Sequence, residues 1–179
     1  MRSFKTEGIV IKRKNFQEAD RIITIFSKRS GKISIKASGV RRITSRRSPH
    51  IELLNHSVFN LHQGKSLATL TEVESINNFS HLKNNLEKIG ISYYICELID
   101  GLCAENQENI QIFDLLLTTL KKISVQTNYT DIIYRFELDL LQLLGFYKHA
   151  GDSKIDTVKF IESILERKLK TKQILSSLS

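Results

Sequence analysis

Up to about Val73 the apolar positions fall in short runs rich in β-branched residues: GIVIKR, RIITIFS, KISIKA, SVFNLH and LATLTEV. Runs of this length and composition predict strands. Turn signals separate them, KRSGK around Gly31 and HQGK around Gly64. Beyond Ser80 the period lengthens to that of a helix. Leu82, Leu86, Ile89, Tyr93, Cys96, Ile99 and Cys103 recur at spacings of three and four, with Ser80 placed to cap the first turn. After the interruption AENQEN a second stripe runs through Ile110, Phe113, Leu117, Leu120 and Ile123. A third helix opens at Thr130 and Asp131 and stops at Gly145, a good C-terminal cap. A last amphipathic stretch begins at IDTVKF and is expected to bend or break near Thr171.

The fold class that follows is α+β. Five strands within residues 4–73 predict a small β-barrel. The OB-fold is the five-stranded Greek-key barrel that binds oligonucleotides, and an SH3-like barrel gives the same pattern. Four helices with short connections predict a bundle packed against that barrel. The expected organisation is an OB-type nucleic-acid-binding domain over residues 1–79 and a helical domain over residues 80–179.

Charge sharpens this division. Of the formal +8, residues 1–50 carry fourteen Lys/Arg against three acids, a net +11, whereas residues 51–79 sum to −2 and residues 80–179 to −1. An excess confined to the barrel half is the footprint of a nucleic-acid-binding module, since a merely solubilising surface mixes both signs. The densest part is ASGVRRITSRRSPH, residues 37–50. Arginine keeps its charge at any cellular pH, so this loop needs anions. Arg41, Arg42, Arg46 and Arg47 are the first candidates for DNA contact, because loop arginines reach phosphates and stack on bases, with Gly39 and the serines allowing close approach. Lys12, Arg13, Lys14, Arg21, Lys28, Arg29, Lys32 and Lys36 extend the cationic surface, and Phe16 is a stacking candidate with core packing as its alternative.

Other chemistry finds little support. There is no G-x-S-x-G, no phosphate-cradling G-x-x-x-x-G-K-[ST], no C-x-x-C and no H-x-x-x-H. Cys96 and Cys103, seven apart in a predicted helix, lie about 10.5 Å apart along its axis, too far for a disulfide, and read as reduced core thiols. His50, His56, His62, His81 and His149 are scattered, so no metal site is expected. A metal-dependent nuclease would need clustered carboxylates, whereas Glu18 and Asp20 sit beside Arg21 in EADR, which reads as a turn held by local ion pairs. The protein is expected to bind and arrange rather than cut. No apolar run approaches membrane-span length and GIVI is too short for a signal sequence, so the expected compartment is the cytoplasm.

The order strand, EADR turn, strand, GK turn and GVRRITSRR resembles the N-terminal domain of the RecO family of bacterial recombination mediators. Similarity continues through LATLTEVESINNF, RFELDLLQLLGF and ERKLKTKQIL. Where many of the family carry a four-cysteine zinc module, FYKHAGDSKIDTVKF passes straight to the last helix, so a short, metal-free form is expected. The resemblance implies a non-enzymatic protein of DNA repair that binds single- and double-stranded DNA and anneals complementary strands. It also implies work with RecR and the single-stranded DNA-binding protein (SSB) in loading the RecA recombinase, and association with the nucleoid during repair. It implies further that the helical part receives the acidic, apolar-ended C-terminal tail of SSB. Arg135, flanked by Tyr134 and Phe136, is the candidate cation for that tail. Two readings from other classes remain: an RNA-binding OB-fold protein of translation or ribosome assembly, and an adaptor whose basic face meets an acidic protein.

Overall fold

The computed structural model describes residues 3–148 and 155–171. Strands β1 (Ser3–Phe16), β2 (Asp20–Ser27), β3 (Gly31–Ala37), β4 (His56–His62) and β5 (Ala68–Asn77) form where the alternating runs predict them. They close into a barrel in the order β1-β2-β3-β5-β4, with β4 returning to β1. The β3–β5 pair is parallel, and the other pairs are antiparallel. That order decides for the OB-fold. Val10, Ile23, Ile25, Ile33, Ile35, Phe59, Leu61 and Leu70 point inward and fill the barrel.

Between β3 and β4 the chain makes a long loop that ends in a 3₁₀ turn at Ser48–Ile51, with Pro49 at its start. Val40 and Ile51 enter the barrel core from the two ends of this loop. The arginine-rich stretch is therefore pinned at both feet by buried apolar residues.

Helices follow as α1 (Ser80–Lys83), α2 (Leu86–Leu102), α3 (Ile110–Val125), α4 (Tyr129–Leu143) and α5 (Thr157–Leu165). The expected single helix from Ser80 to Cys103 is interrupted. Phe79, in the left-handed region at φ 50°, stands at the N-cap of α1, and Asn85 caps α2 by accepting from the Lys88 amide at 2.9 Å. Ser80 is thus not the side-chain cap. Of the expected stripe Leu82, Cys96, Ile99 and Cys103 are buried, but Leu86 is 69 % exposed and Tyr93 39 %, and Ile91, Tyr94, Ile95, Leu98 and Leu102 are buried beside it. This helix is apolar on two sides because it lies between the barrel and the other helices, so a three-four spacing fits more than one phase. In α3 the buried residues are Ile112, Phe113, Leu116, Leu120 and Ile123, with Ile110 outside the face. Gly145, at φ 78°, ends α4 as expected. Helix α5 stops at Leu165, because Glu166 turns left-handed at φ 53°, and the residues beyond the expected break near Thr171 lie outside the described residues. Among the described residues no helix is long and apolar enough to cross a membrane.

The outer wall of the barrel and the helices share a second core. Ile9, Ile11, Phe26 and Leu54 face outward from the barrel and pack with the buried residues of α2, α3 and α4. A bulge between Val10 and Lys12 makes this possible, since it allows consecutive residues Ile11 and Lys12 to meet the helical side. Ile11 joins the core and Lys12 pairs with Asp100 of α2 at 2.8 Å. Gly31 sits so close to the segment after α2 that a Cβ there would lie 1.8 Å from the Gln107 carbonyl oxygen. Within the helices, buried Glu137 of α4 accepts hydrogen bonds from Tyr94 of α2, at 2.5 Å, and from Thr157 of α5. Burial and the Glu137 charge push the Tyr94 phenol up, so it stays a donor. The thiols of Cys96 and Cys103 are free and buried, and burial raises them to about 12 and about 11.

The segment after α5 is held by Glu97 of α2. Its carboxylate accepts from Arg167 at 2.7 Å, from the Lys170 and Thr171 amides at 3.0 and 2.9 Å, and from the Thr171 hydroxyl at 2.5 Å. Burial by itself would raise the Glu97 carboxyl, but these donors outweigh it and hold the group at about 2, against an ordinary 4.5. A carboxyl depressed in the folded state stabilises fully above the ordinary value and loses that contribution as pH falls through the folded one. The Lys170 and Thr171 amide resonances of the folded protein are therefore expected to move together with a midpoint near pH 2, while the stability contribution is lost between about pH 4.5 and pH 2. Glu97→Gln should abolish that titration, and amides that titrate alike in both proteins would show another group to be responsible.

Candidate nucleic-acid interface

The loop from Ser38 to Ile51 contains no acidic residue. Its conformation is set from below by Asp20, at the start of β2. The Asp20 carboxylate accepts from the Gly39 amide at 2.8 Å and pairs with Lys36 of β3 at 3.1 Å. The Gly39 hydrogen bond first, and then Lys36, hold that carboxyl below its ordinary value. The Arg41 amide bonds the Ala19 carbonyl at 2.9 Å, and its guanidinium donates to the Gln17 carbonyl at 3.0 Å. The arginine loop and the β1–β2 turn are thus stitched together. EADR is a turn, as expected, but its charges are not paired locally: Asp20 turns to Lys36, and Arg21 to Glu52 at 3.4 Å and Asn15 at 3.3 Å.

The twelve expected cations fall into two groups. Lys12 pairs with Asp100, and Lys32 is buried with Nζ 2.5 Å from the Asp100 carbonyl oxygen. Arg13 joins Arg21 on Glu52. Lys28 lies 3.8 Å from Glu7, with its ammonium 5.8 Å from the ring centre of Phe113. Arg47 donates to the Leu70 carbonyl at 2.8 Å and to the Ser38 carbonyl at 2.7 Å, tying the loop to the barrel. Arg41, Arg42, Arg46, Lys14 and Arg29 are exposed and form no ion pair with a described residue. Lys36 stands between the groups, because its partner Asp20 also serves Gly39.

Register places part of this second group on one surface. Lys14, Ile22 and Lys36 stand opposite one another across β1, β2 and β3. Phe16, at the end of β1, is 37 % exposed, with the Lys36 ammonium 5.5 Å from its ring centre. An exposed aromatic ring beside lysines and a cationic loop offers both phosphate contacts and a stacking platform. Two features had weaker signals in the chain. Lys65 is exposed in the β4–β5 loop, but it is a lone base in an acidic stretch. Ile43 is fully exposed at the tip of the arginine loop, and only its position between two arginine pairs marks it out.

Arg135 lies exposed on α4 beside a groove of about 280 Å³ between α3 and α4. Leu115, Ile132 and Phe136 give the groove apolar walls, Lys122 adds a second cation, and Asp131 and Asp139 line it too. Tyr134 is not among its lining residues. No group of three or more His, Cys, Asp or Glu among the described residues is placed to hold a metal ion. Residues 149–154, within the stretch expected to replace a zinc module, lie outside the described residues, as does His149.

The family model described as Recombination protein O N terminal matches residues 1–79, and that described as Recombination protein O C terminal matches residues 83–149. Over 145 residues the chain is 37 % identical to the DNA repair protein RecO of Roseiflexus sp. (strain RS-1), covering 81 % of this chain and 51 % of the relative. It is 36 % identical over 147 residues to the protein of the same name from Symbiobacterium thermophilum, covering 82 % and 58 %, and 37 % identical over 147 residues to that from Acetivibrio thermocellus, covering 82 % and 59 %. The matched region thus spans between half and three-fifths of the length of these relatives.

The two groups of cations should separate in stability measurements. Arg47→Ala leaves the Leu70 carbonyl of the barrel and the Ser38 carbonyl of the loop without their charged donor and is expected to cost about 2–3 kcal/mol in urea unfolding. Arg42→Ala and Arg46→Ala should stay within about 0.5 kcal/mol of the unsubstituted protein, as exposed side chains without partners do. Equal losses at all three positions would contradict this division.

Proposed function

The chain belongs to the RecO family, and from that premise we propose that it acts in DNA repair as a recombination mediator that binds single- and double-stranded DNA through its barrel. The observation that carries this reading is the acid-free loop at residues 38–51, whose Arg41, Arg42 and Arg46 are exposed and unpaired while most other barrel cations are neutralised. Annealing brings two polyanions together, so their repulsion must be screened by fixed cations. Lys14 and Lys36 extend the path along which a second strand is met, and Arg29, in the β2–β3 turn at the other end of these strands, is a separate exposed cation. The paired cations Lys12, Arg13, Arg21, Lys28 and Lys32, with Arg47, shape the surface rather than neutralise phosphate. The protein works by holding strands, in the cytoplasm, without turning over a substrate.

Cooperation with RecR and help in loading RecA onto SSB-coated single strands complete the proposal on family grounds. The groove at Arg135 suits the SSB tail, since its apolar walls take a hydrophobic end and Arg135 and Lys122 attract the carboxylate and flanking acids. The units that divide this work are residues 1–79 for nucleic acid and residues 80–179 for protein contact.

Binding of a fluorescent single-stranded DNA across a salt series tests the central claim. Log affinity should fall linearly with log salt, and Arg41/Arg42/Arg46→Ala should bind more weakly with a slope shallower by roughly 0.7 per lost phosphate contact. A folded triple variant that binds with the same affinity and slope would remove the loop from the DNA path. Tighter binding of an RNA of matched sequence would move the protein to the RNA-binding class. In a parallel titration, Arg135→Ala should weaken binding of an acidic peptide ending in an apolar residue by about tenfold, in line with the loss of a charge-assisted hydrogen bond.

A further inference from the structure

Ile43 occupies an unusual position for a large apolar side chain. It is fully exposed, at 104 % of the reference area, at the apex of the arginine loop. A scattered surface isoleucine means little. This one, however, is presented by an ordered turn: the Ser45 amide bonds the Arg42 carbonyl at 2.9 Å, which makes Ile43 the second residue of a β-turn. The turn stands on the Arg42-to-Gly39 amide bond, on Asp20 below Gly39, and on the two carbonyls held by Arg47. Arg42 and Arg46, exposed and without an ion pair, flank the tip on either side. A β-branched side chain has few rotamers, so little conformational freedom remains to be lost when it makes a contact.

A tip with cations on its shoulders and a stiff apolar point matches a surface that alternates fixed anions with flat apolar faces. Single-stranded nucleic acid has that chemistry: phosphates for the guanidinium groups, and unstacked base faces for the isoleucine. Aliphatic wedges set against bases are a known means of binding without reading sequence, because every base has an apolar face and the side chain bonds no base edge. We propose that Ile43 is a base-contacting wedge, seated against the face of an unstacked base while Arg42 and Arg46 hold the flanking phosphates. This rests on the reading of the loop as the DNA site and adds to it a contact that salt does not screen.

The test uses the full chain, with a fluorescent oligothymidylate and an oligomer of the same length whose central nucleotides are abasic. Ile43→Ser should weaken binding to the intact oligomer by about threefold to tenfold, the equivalent of partly burying one such side chain. The salt slope should not change, because no phosphate contact is lost. On the abasic oligomer the two proteins should bind alike. Thermal unfolding of the variant is expected to match that of the unsubstituted protein, given the exposure of the site. An equal loss on both oligomers, or no loss on either, would overturn the wedge, the second result also being that of a tip built to meet another protein. If binding depends on Arg42 and Arg46 but not on Ile43, the wedge fails and the loop reading stands. If the unsubstituted protein binds neither oligomer, or binds regardless of the arginines, both fail.

Discussion

The outer wall of the barrel along β1 and β2 is apolar where a solvent-facing strand would be polar, and covering that wall conditions much of the remaining structure. Ile9, Ile11, Phe26 and Leu54 must be kept from water, and α2 with its neighbours does so. The β1 bulge sets the two surfaces to fit, and Gly31 lets the β2–β3 turn come down on the Gln107 carbonyl, where no side chain would fit. The result is a single apolar body from the barrel wall to α4, and a β-sheet whose other faces remain available.

That packing also partitions the charge. Helices bring their acids with them, and Asp100 of α2 engages both Lys12 and Lys32. Glu52, at the foot of the arginine loop, takes Arg13 and Arg21. Lys83, half-buried and with its ammonium destabilised by that burial, is directed to Asn55 at 2.5 Å. Lys12 and Lys32 near the barrel–helix junction are thereby engaged, whereas Arg29 in the β2–β3 turn and the cations of the far loop and the strand ends beside it are left exposed. Asp100 and Glu52 thus set two further negative charges against the net +11 of the first fifty residues, and both are spent at a distance from the tip of the arginine loop.

The loop is anchored by three different devices, which keeps it from being a floppy cationic tether. Val40 and Ile51 bury its feet, Asp20 fixes its first turn, and Arg47 gives up its availability to ions in exchange for the Leu70 carbonyl of β5 and the Ser38 carbonyl of the loop. One arginine of the four therefore organises the other three. Preorganisation of this kind lowers the ordering cost that a flexible basic segment would incur on binding.

The strand runs, the Gly145 stop, the buried thiols and the concentration of charge in the barrel half were all legible in the chain, because alternation, turn chemistry and net charge are local or additive properties. The second buried side of α2, through Ile91, Tyr94, Ile95, Leu98 and Leu102, the break at Asn84 and Asn85, and the partners of Asp20 and Arg21 were not. A helix packed on two sides satisfies the same spacing in more than one phase, and an ion pair between residues 12 and 100 leaves no trace in either neighbourhood. The amino-acid order by itself thus determined which segments become strands or helices and where the positive charge lies along the chain. Only the tertiary structure decided which of those charges are spent on the protein's own acids and carbonyls and which face solvent, since that depends on what the folded chain brings within a few ångströms.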